Sequence, residues 1–317
     1  MRTKNVLIKK IFFYVFCIVT LGLIIFYHQD ISHFIVKKFI YHDYAIEKIN
    51  TNAYSLKRNF ELVQITDDFI AKDKNHLLNI FYTILDSGKE EFYFYCDENY
   101  KECKEDVDSL IPNNSDIDSI LSDINNFVHP YNSYKSINIT SNNFGKISVS
   151  IHKQYSNDRI SEINQYLEDI KKESITSTMN EKEKIKAFHD YIVNYTAYDF
   201  ERANNMNSPE FDNSTSHTAY GLLETKKALC GGYSDIMSIF LNQLGIPNIR
   251  ISADNHVWNL LFLENKWYHL DVTWDDPVTN TGEQLLIYDY FLIPYETLLT
   301  TDPIEHKFNA DIYIEAK

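Results

Sequence analysis

Between Lys226 and Pro247 the chain reads KKALCGGYSDIMSIFLNQLGIP, and its apolar positions recur at helical spacing. Tyr233, Ile236, Met237, Phe240, Leu241 and Leu244 fall at i, i+3, i+4, i+7, i+8 and i+11, which predicts one buried stripe of an amphipathic helix. Gly245 suits the left-handed position after the last turn, and Pro247 cannot continue the helix. Counting back from Tyr233 and Met237 puts Cys230 on the same stripe, at its N-terminus. Two readings stay open on this stretch alone. Cys230 is a small buried hydrophobe, or a nucleophile whose thiolate is favoured by the positive end of the helix dipole. A second helix is predicted upstream from the N-cap Asn180, with Glu181 and Glu183 in its first turn and Ile185, Phe188, Ile192 and Tyr195 on its buried face. The polar stretch 201–218 between them reads as a loop.

The preceding part mixes both periods. Helices are predicted from Asp73 to Gly88, from the N-cap Ser115 through Ile117, Ile120, Leu121, Ile124 and Phe127, and through Ile160, Ile163, Leu167 and Ile170. Strands are predicted at 91–96, at KSINIT (135–140) and at GKISVSIHK (145–153), where Ile147, Val149 and Ile151 share a face. HPYNS (129–133) reads as a turn with a structural His129. This α+β module, residues 71–175, carries no chemical constellation of its own.

Downstream lies ISADNHVWNLLFLENKWYHLDVTWDDP, two β-rich runs flanking EN. A hairpin with Glu264 and Asn265 in the turn pairs Leu263 with Lys266, Trp258 with Asp271 and His256 with Thr273. Cross-strand partners share a face, so His256 and Asp271 become diagonal neighbours within hydrogen-bonding reach. A three-residue turn would shift the register and break this. A nucleophilic thiol needs a base, and a base that becomes cationic needs an anion to hold its tautomer. Cys230, His256 and Asp271 supply that set. Gly231 and Gly232 would clear space for an acyl substrate and leave backbone N–H groups for an oxyanion, and Lys226 and Lys227 would add a modest positive field. His269 falls on the same face, so Cys230, His256, His269 and Asp271 form an alternative zinc set, without the tight spacing of such sites. Trp258 and Trp267 either wall a substrate groove or pack a core. His189 and His217 have no evident partners and read as structural or exposed.

Charge and cysteine count add the setting. Ile11 to Tyr27 is an uncharged apolar run preceded by Arg2, Lys4, Lys9 and Lys10. It reads as an uncleaved single-pass anchor (residues 1–30), with the N-terminus cytoplasmic and the rest outside the membrane; a cleaved signal peptide is the competing reading. Residues 31–70 read as a stalk. A net charge of −15 with scattered lysines offers no basic face, which argues against a nucleic-acid partner. Cys96 and Cys103 bracket a short loop and could pair in an oxidising compartment. With Cys17 in the apolar run, Cys230 is left over.

The motifs CGGYS, HVWN and WYHLDVTWD, in that order, resemble the transglutaminase-like superfamily, over about Asn180 to Pro294. The resemblance implies an α+β, papain-like core (residues 176–317) with the cysteine helix packed on an antiparallel sheet, preceded here by the smaller α+β module and one transmembrane helix. It implies Cys230 as nucleophile, His256 as general base and acid and Asp271 as orienting carboxylate, with no cofactor. The expected substrate is a protein or peptide amide in the cell envelope, taken through a thioester to hydrolysis or transamidation. A catalytically silent scaffold of the same fold is the alternative. Animal transglutaminases carry tryptophan directly after the cysteine, where this chain has Gly231, and separate calcium-binding segments, of which none is apparent. The side-chain oxyanion donor is thus unassigned, with Tyr220 a candidate.

Overall fold

The computed structural model describes residues 2–28, 30–31, 50–56, 64–110, 120–142, 145–205, 208, 214–277 and 285–317. The predicted N-cap Ser115 and the stripe residue Ile117 lie outside the described residues. The chain divides into two compact units, Met1–Glu47 with Asn142–Phe144, and Lys48–Ser141 with Gly145–Lys317. In the first unit, helix α1 (Arg2–Phe26) includes an 18-residue span, Lys9–Phe26, apolar enough to cross a membrane. Its Phe12, Phe16 and Phe26 are exposed.

In the second unit a 3-10 turn (Ala53–Leu56) precedes a short parallel strand β1 (Ile70–Ala71) and helix α2 (Lys74–Ser87). Asp73 caps α2 by accepting from the His76 N–H, and Gly88 ends it at φ 71°. Strand β2 (Glu91–Cys96), helices α3 (Cys103–Leu110) and α4 (Ile120–Asn126), and the hairpin strands β3 (Tyr134–Ser141) and β4 (Lys146–Lys153) follow. The sheet runs β1-β2-β4-β3. Ile147, Val149 and Ile151 are buried, and Phe81 of α2 meets Phe92 and Phe94 of β2 edge-on. A disulfide joins Cys96 to Cys103. Closing so short a loop contributes about 2 kcal/mol in the chain-entropy model, so Cys96→Ser with Cys103→Ser is expected to lower the urea-unfolding free energy by that amount.

Helices α5 (Asn157–Ser174) and α6 (Glu181–Tyr195) come next, the second opened by a reciprocal capping box between Asn180 and Glu183. Strand β5 (Ala197–Tyr198), helices α7 (Phe200–Asn204) and α8 (Ala219–Glu224), strand β6 (Lys227–Ala228) and helix α9 (Cys230–Gln243) lead to the hairpin region. Strands β7 (Asn248–Ala253), β8 (His256–Leu263) and β9 (Lys266–Leu270) form an antiparallel sheet in that order, and α10 (Tyr295–Thr301) follows. Gly245 takes φ 72° after α9.

The core shows how these parts join. Ile163, Leu167 and Ile170 of α5, Ile185, Phe188 and Ile192 of α6, and Ile236, Met237, Phe240 and Leu241 of α9 form one buried cluster with Leu261, Leu263 and Leu270 of the sheet. Phe188 stacks on Phe240 with centroids 4.0 Å apart. Helix α5 thus packs into the same core as α6 and α9. Tyr195, expected on the buried face of α6, is 53% exposed: it occupies the helix's last turn, beyond the core.

Candidate active site

Cys230 is the first helical residue of α9, where backbone N–H groups have no intrahelical partner. Its helix end is seated closely against the segment before α8. Leu229 N–H donates to Ser216 O at 2.7 Å. A Cβ on Gly232 would lie 2.6 Å from Ser216 O and 2.9 Å from Thr218 O, and one on Gly231 would lie 2.6 Å from His217 O. These are backbone atoms that cannot step aside, so helix seating by itself requires both glycines. Gly232 is also no oxyanion donor, since its N–H closes on Leu229 O at 2.9 Å. Gly232→Ala is expected to cost at least about 1–3 kcal/mol, read as a fall in the thermal midpoint.

Glu264 and Asn265 both take positive φ, 51° and 65°, the two-residue hairpin turn whose twist matches the strands. Leu263 pairs with Lys266 and Asn259 with Leu270. Continued one residue, that register sets Asp271 opposite Trp258 and diagonal to His256. The His256 Nε2 bonds Asp271 Oδ2, which leaves Nδ1 as the ring nitrogen available to the cysteine. Asp271 Oδ1 accepts from the N–H groups of Thr273 at 2.9 Å and Trp274 at 3.2 Å, so the carboxylate is held from its own loop. Burial works against the charge on both partners. For His256 it pushes the pKa down, but Asp271, then the adjacent Cys230, outweigh it and raise the value to about 10. For Asp271, burial pushes up, and the two histidines bonded to it outweigh that and hold it well below the usual carboxylate range. Tyr198, at the end of β5, is near enough to Cys230 for charge on the cysteine to add to burial in raising its phenol.

Several expected residues stand elsewhere. Tyr220 donates its hydroxyl to Glu162 of α5 at 2.6 Å and lies under Arg159, so it offers no oxyanion contact. Trp258 is 1% exposed; it forms the floor beneath His256, ring on ring at 5.6 Å, and is core rather than groove. Trp274, 36% exposed and edge-on to His256, is the tryptophan that faces outward. Trp267 packs between Phe262 and Tyr54. His269 cannot join a zinc set, because Nδ1 accepts from Trp258 Nε1 at 3.0 Å and Nε2 bonds Ala316 O at 2.9 Å. Burial accordingly pushes its pKa down to about 4. Lys227 faces Glu201 at 3.9 Å, which takes up part of the expected positive field.

The two histidines read as partnerless both have partners. His189 is fully buried between Asp190 Oδ1 and Asp275 Oδ2, each at 3.1 Å, and so braces the loop that carries Asp271. His217 is exposed and meets Gln154 at 3.1 Å. Sequence reading missed His306, which bonds Asp271 Oδ2 at 2.9 Å from the C-terminal segment. The rings and carboxylate of His256, Asp271 and His306 place their polar atoms within 4.8 Å of one another. One carboxylate oxygen accepts from both rings, an arrangement of hydrogen bonds.

A cleft of about 630 Å³ opens beside the chain neighbours of Cys230 and His256, namely Gly231 and Val257. One wall comes from the segment 120–134 and Gln154, the other from α9, β7 and the C-terminal segment. Arg250 ties the walls together, donating to Asp235 Oδ1 at 2.5 Å, Asn125 O at 2.6 Å and Ser133 Oγ at 2.8 Å.

Residues 168–272 match the sequence model of the Transglutaminase-like superfamily. This stretch is a transglutaminase-like core. It contains α9, the hairpin and all three of Cys230, His256 and Asp271. The chain is also similar to the mouse (Mus musculus) Kyphoscoliosis peptidase, 20% identical over 155 residues, covering 43% of this chain and 22% of that protein. The chain thus spans about a fifth of the length of this curated relative. Among solved structures, one described as a TGase is 20% identical, with 44% of each chain covered and a TM-score of 0.34. A putative cysteine protease from Cytophaga hutchinsonii is 13% identical, covering 44% of this chain and 61% of that one, with a TM-score of 0.26.

Proposed function

We propose that the chain is a membrane-anchored cysteine enzyme that forms a thioester on a peptide or protein amide, with Cys230 as nucleophile, His256 as acid and base and Asp271 as orienting carboxylate. The observation that carries this is the position of a cysteine at a helix N-terminus beside a histidine whose other nitrogen is bonded to a buried carboxylate. With the thiol proton on His256, Sγ attacks the amide carbonyl carbon. The Cys230 N–H at the head of α9 would receive charge on the oxygen. His256 then gives its proton to the departing nitrogen, the C–N bond breaks, and the acyl group remains on sulfur. Water or a second amine attacks next, loses its proton to His256, and breaks the C–S bond. Hydrolysis is the favoured outcome, because nothing among the described residues marks an amine-donor pocket that would exclude water.

The polar cleft supports an extended peptide-like substrate, and its wall from residues 120–134 gives the α+β module a part in binding it. For location, the basic residues before α1 and the Cys96–Cys103 disulfide both support a single-pass membrane protein with a cytoplasmic N-terminus and an extracytoplasmic catalytic unit. A peptide library is the test, scored together for new chain ends and for ammonia release. New ends that vanish in Cys230→Ala are expected. Ammonia release with an added amine incorporated would assign transamidation instead, and neither signal with any peptide would favour a catalytically silent scaffold.

A further inference from the structure

His306 lies beyond the family match, in the segment after α10, yet it reaches the centre of the site. Its ring is fully buried between two carboxylates, with Nε2 2.9 Å from Asp271 Oδ2 and Nδ1 3.3 Å from Asp302 Oδ2. Tyr290 stacks on the ring at 5.0 Å, and Trp258 meets it edge-on at 4.8 Å. Asp271 is therefore not the partner of His256 alone. Its Oδ1 is held by two backbone N–H groups, and its Oδ2 serves two imidazoles. The backbone bonds already orient the carboxylate, so the second ring adds something other than orientation: it divides the charge on the oxygen that faces His256.

We propose that His306 is a positioning residue of this site, sharing the Asp271 carboxylate with His256 and so setting how firmly that carboxylate holds the His256 ring. The proposal rests on the acyl-transfer reading of Cys230, His256 and Asp271. In that reaction His256 must release a proton to the leaving nitrogen, and a carboxylate engaged by a second donor opposes that release less. A carboxylate serving His256 alone would draw the proton back. The charged and titratable groups around the pair are Cys230 and Asp271 on His256, and Asp271, Asp302, His256 and His269 around His306, with the Tyr290 phenol against its face.

The test uses the full chain in detergent, labelled with ¹⁵N-histidine, and follows the His256 ring N–H resonance and its titration. His306→Phe keeps a ring against Tyr290 and Trp258 without a donor; His306→Met is a second donor-free variant with a more adaptable shape. His306→Gln places an amide N–H near the position of Nε2. In the donor-free variants the His256 resonance is expected to move downfield, and the imidazolium to persist about one pH unit higher; His306→Gln returns both toward wild type. A merely structural role would leave the titration in place in a variant that keeps the wild-type circular dichroism, and would give His306→Gln nothing to restore, whereas loss of the ring at 5.3 Å by itself shifts only the resonance. An unchanged His256 titration in a folded donor-free variant therefore overturns the proposal. Iodoacetamide labelling of the wild-type protein separates the two levels. A Cys230 no faster than a free thiol sinks the acyl-transfer reading, whereas a fast Cys230 with an unmoved His256 sinks only the role of His306.

Discussion

Asp271→Asn is expected to reduce peptide turnover by about 10³–10⁴-fold, the loss found when the orienting acid of an acyl-transfer triad becomes an amide. The asparagine keeps the shape and the backbone bonds from Thr273 and Trp274, but it cannot accept from both His256 and His306 as a charged oxygen does. The same variant has a signature in stability. The folded pKa of His256 is raised from 6.5 to about 10, so the histidine contributes stability that is complete below about pH 6.5 and is lost as pH rises through about 10. The pKa of Asp271 is depressed from 3.8, so its contribution is complete above that value and is lost only as pH falls through the folded value. The pair therefore stabilises the fold most between about pH 4 and 6.5. Calorimetry from pH 6 to 10 is expected to show a steeper fall in thermal midpoint for the wild type than for Asp271→Asn. Equal slopes would mean that the two residues do not form the coupled pair described.

The second large effect lies in the cleft wall. Asp235→Ala is expected to destabilise the protein by about 3–5 kcal/mol, because it leaves the buried Arg250 guanidinium without its anion. Asp235 also accepts from Tyr155 Oη, which itself accepts from the Ala219 N–H at 2.8 Å, so the loss spreads to the segment on which α9 is seated. Changing both partners, Asp235→Leu with Arg250→Met, removes the charge with its anion and is expected to recover part of the loss. Urea denaturation of the two variants reads this directly. A double variant less stable than Asp235→Ala would show that the bonds of Arg250 to Asn125 and Ser133 matter more than its ion pair.

What the sequence made legible was local or carried by a register. The α9 stripe, the Gly245 stop and the capping box at Asn180 follow from spacing and residue type within one element. The meeting of His256 with Asp271 follows from a two-residue turn, since pairing propagates along a hairpin. Features set by packing between distant elements were not legible. The hairpin face carrying Trp258 was visible, but its covering by Phe308 and His306 came from the C-terminal segment, which turned a groove residue into core. Tyr220 was lost to Glu162, a partner 58 residues away. The glycines after Cys230 looked like room for substrate because their neighbours, the carbonyls of Ser216, His217 and Thr218, lie across a segment with no pattern of its own. His306 carried no signal of its own in the sequence; a second histidine on one carboxylate arises only from the tertiary fold.

The proposed chemistry requires that Cys230 be an activated nucleophile driven by His256. Timed iodoacetamide labelling, with the modified residue located by mass spectrometry, tests it most directly. Reaction at Cys230 is expected well above that of a free model thiol at neutral pH, falling about 100-fold or more in His256→Ala. A Cys230 that reacts no faster than the free thiol, or equally fast with and without His256, would contradict it.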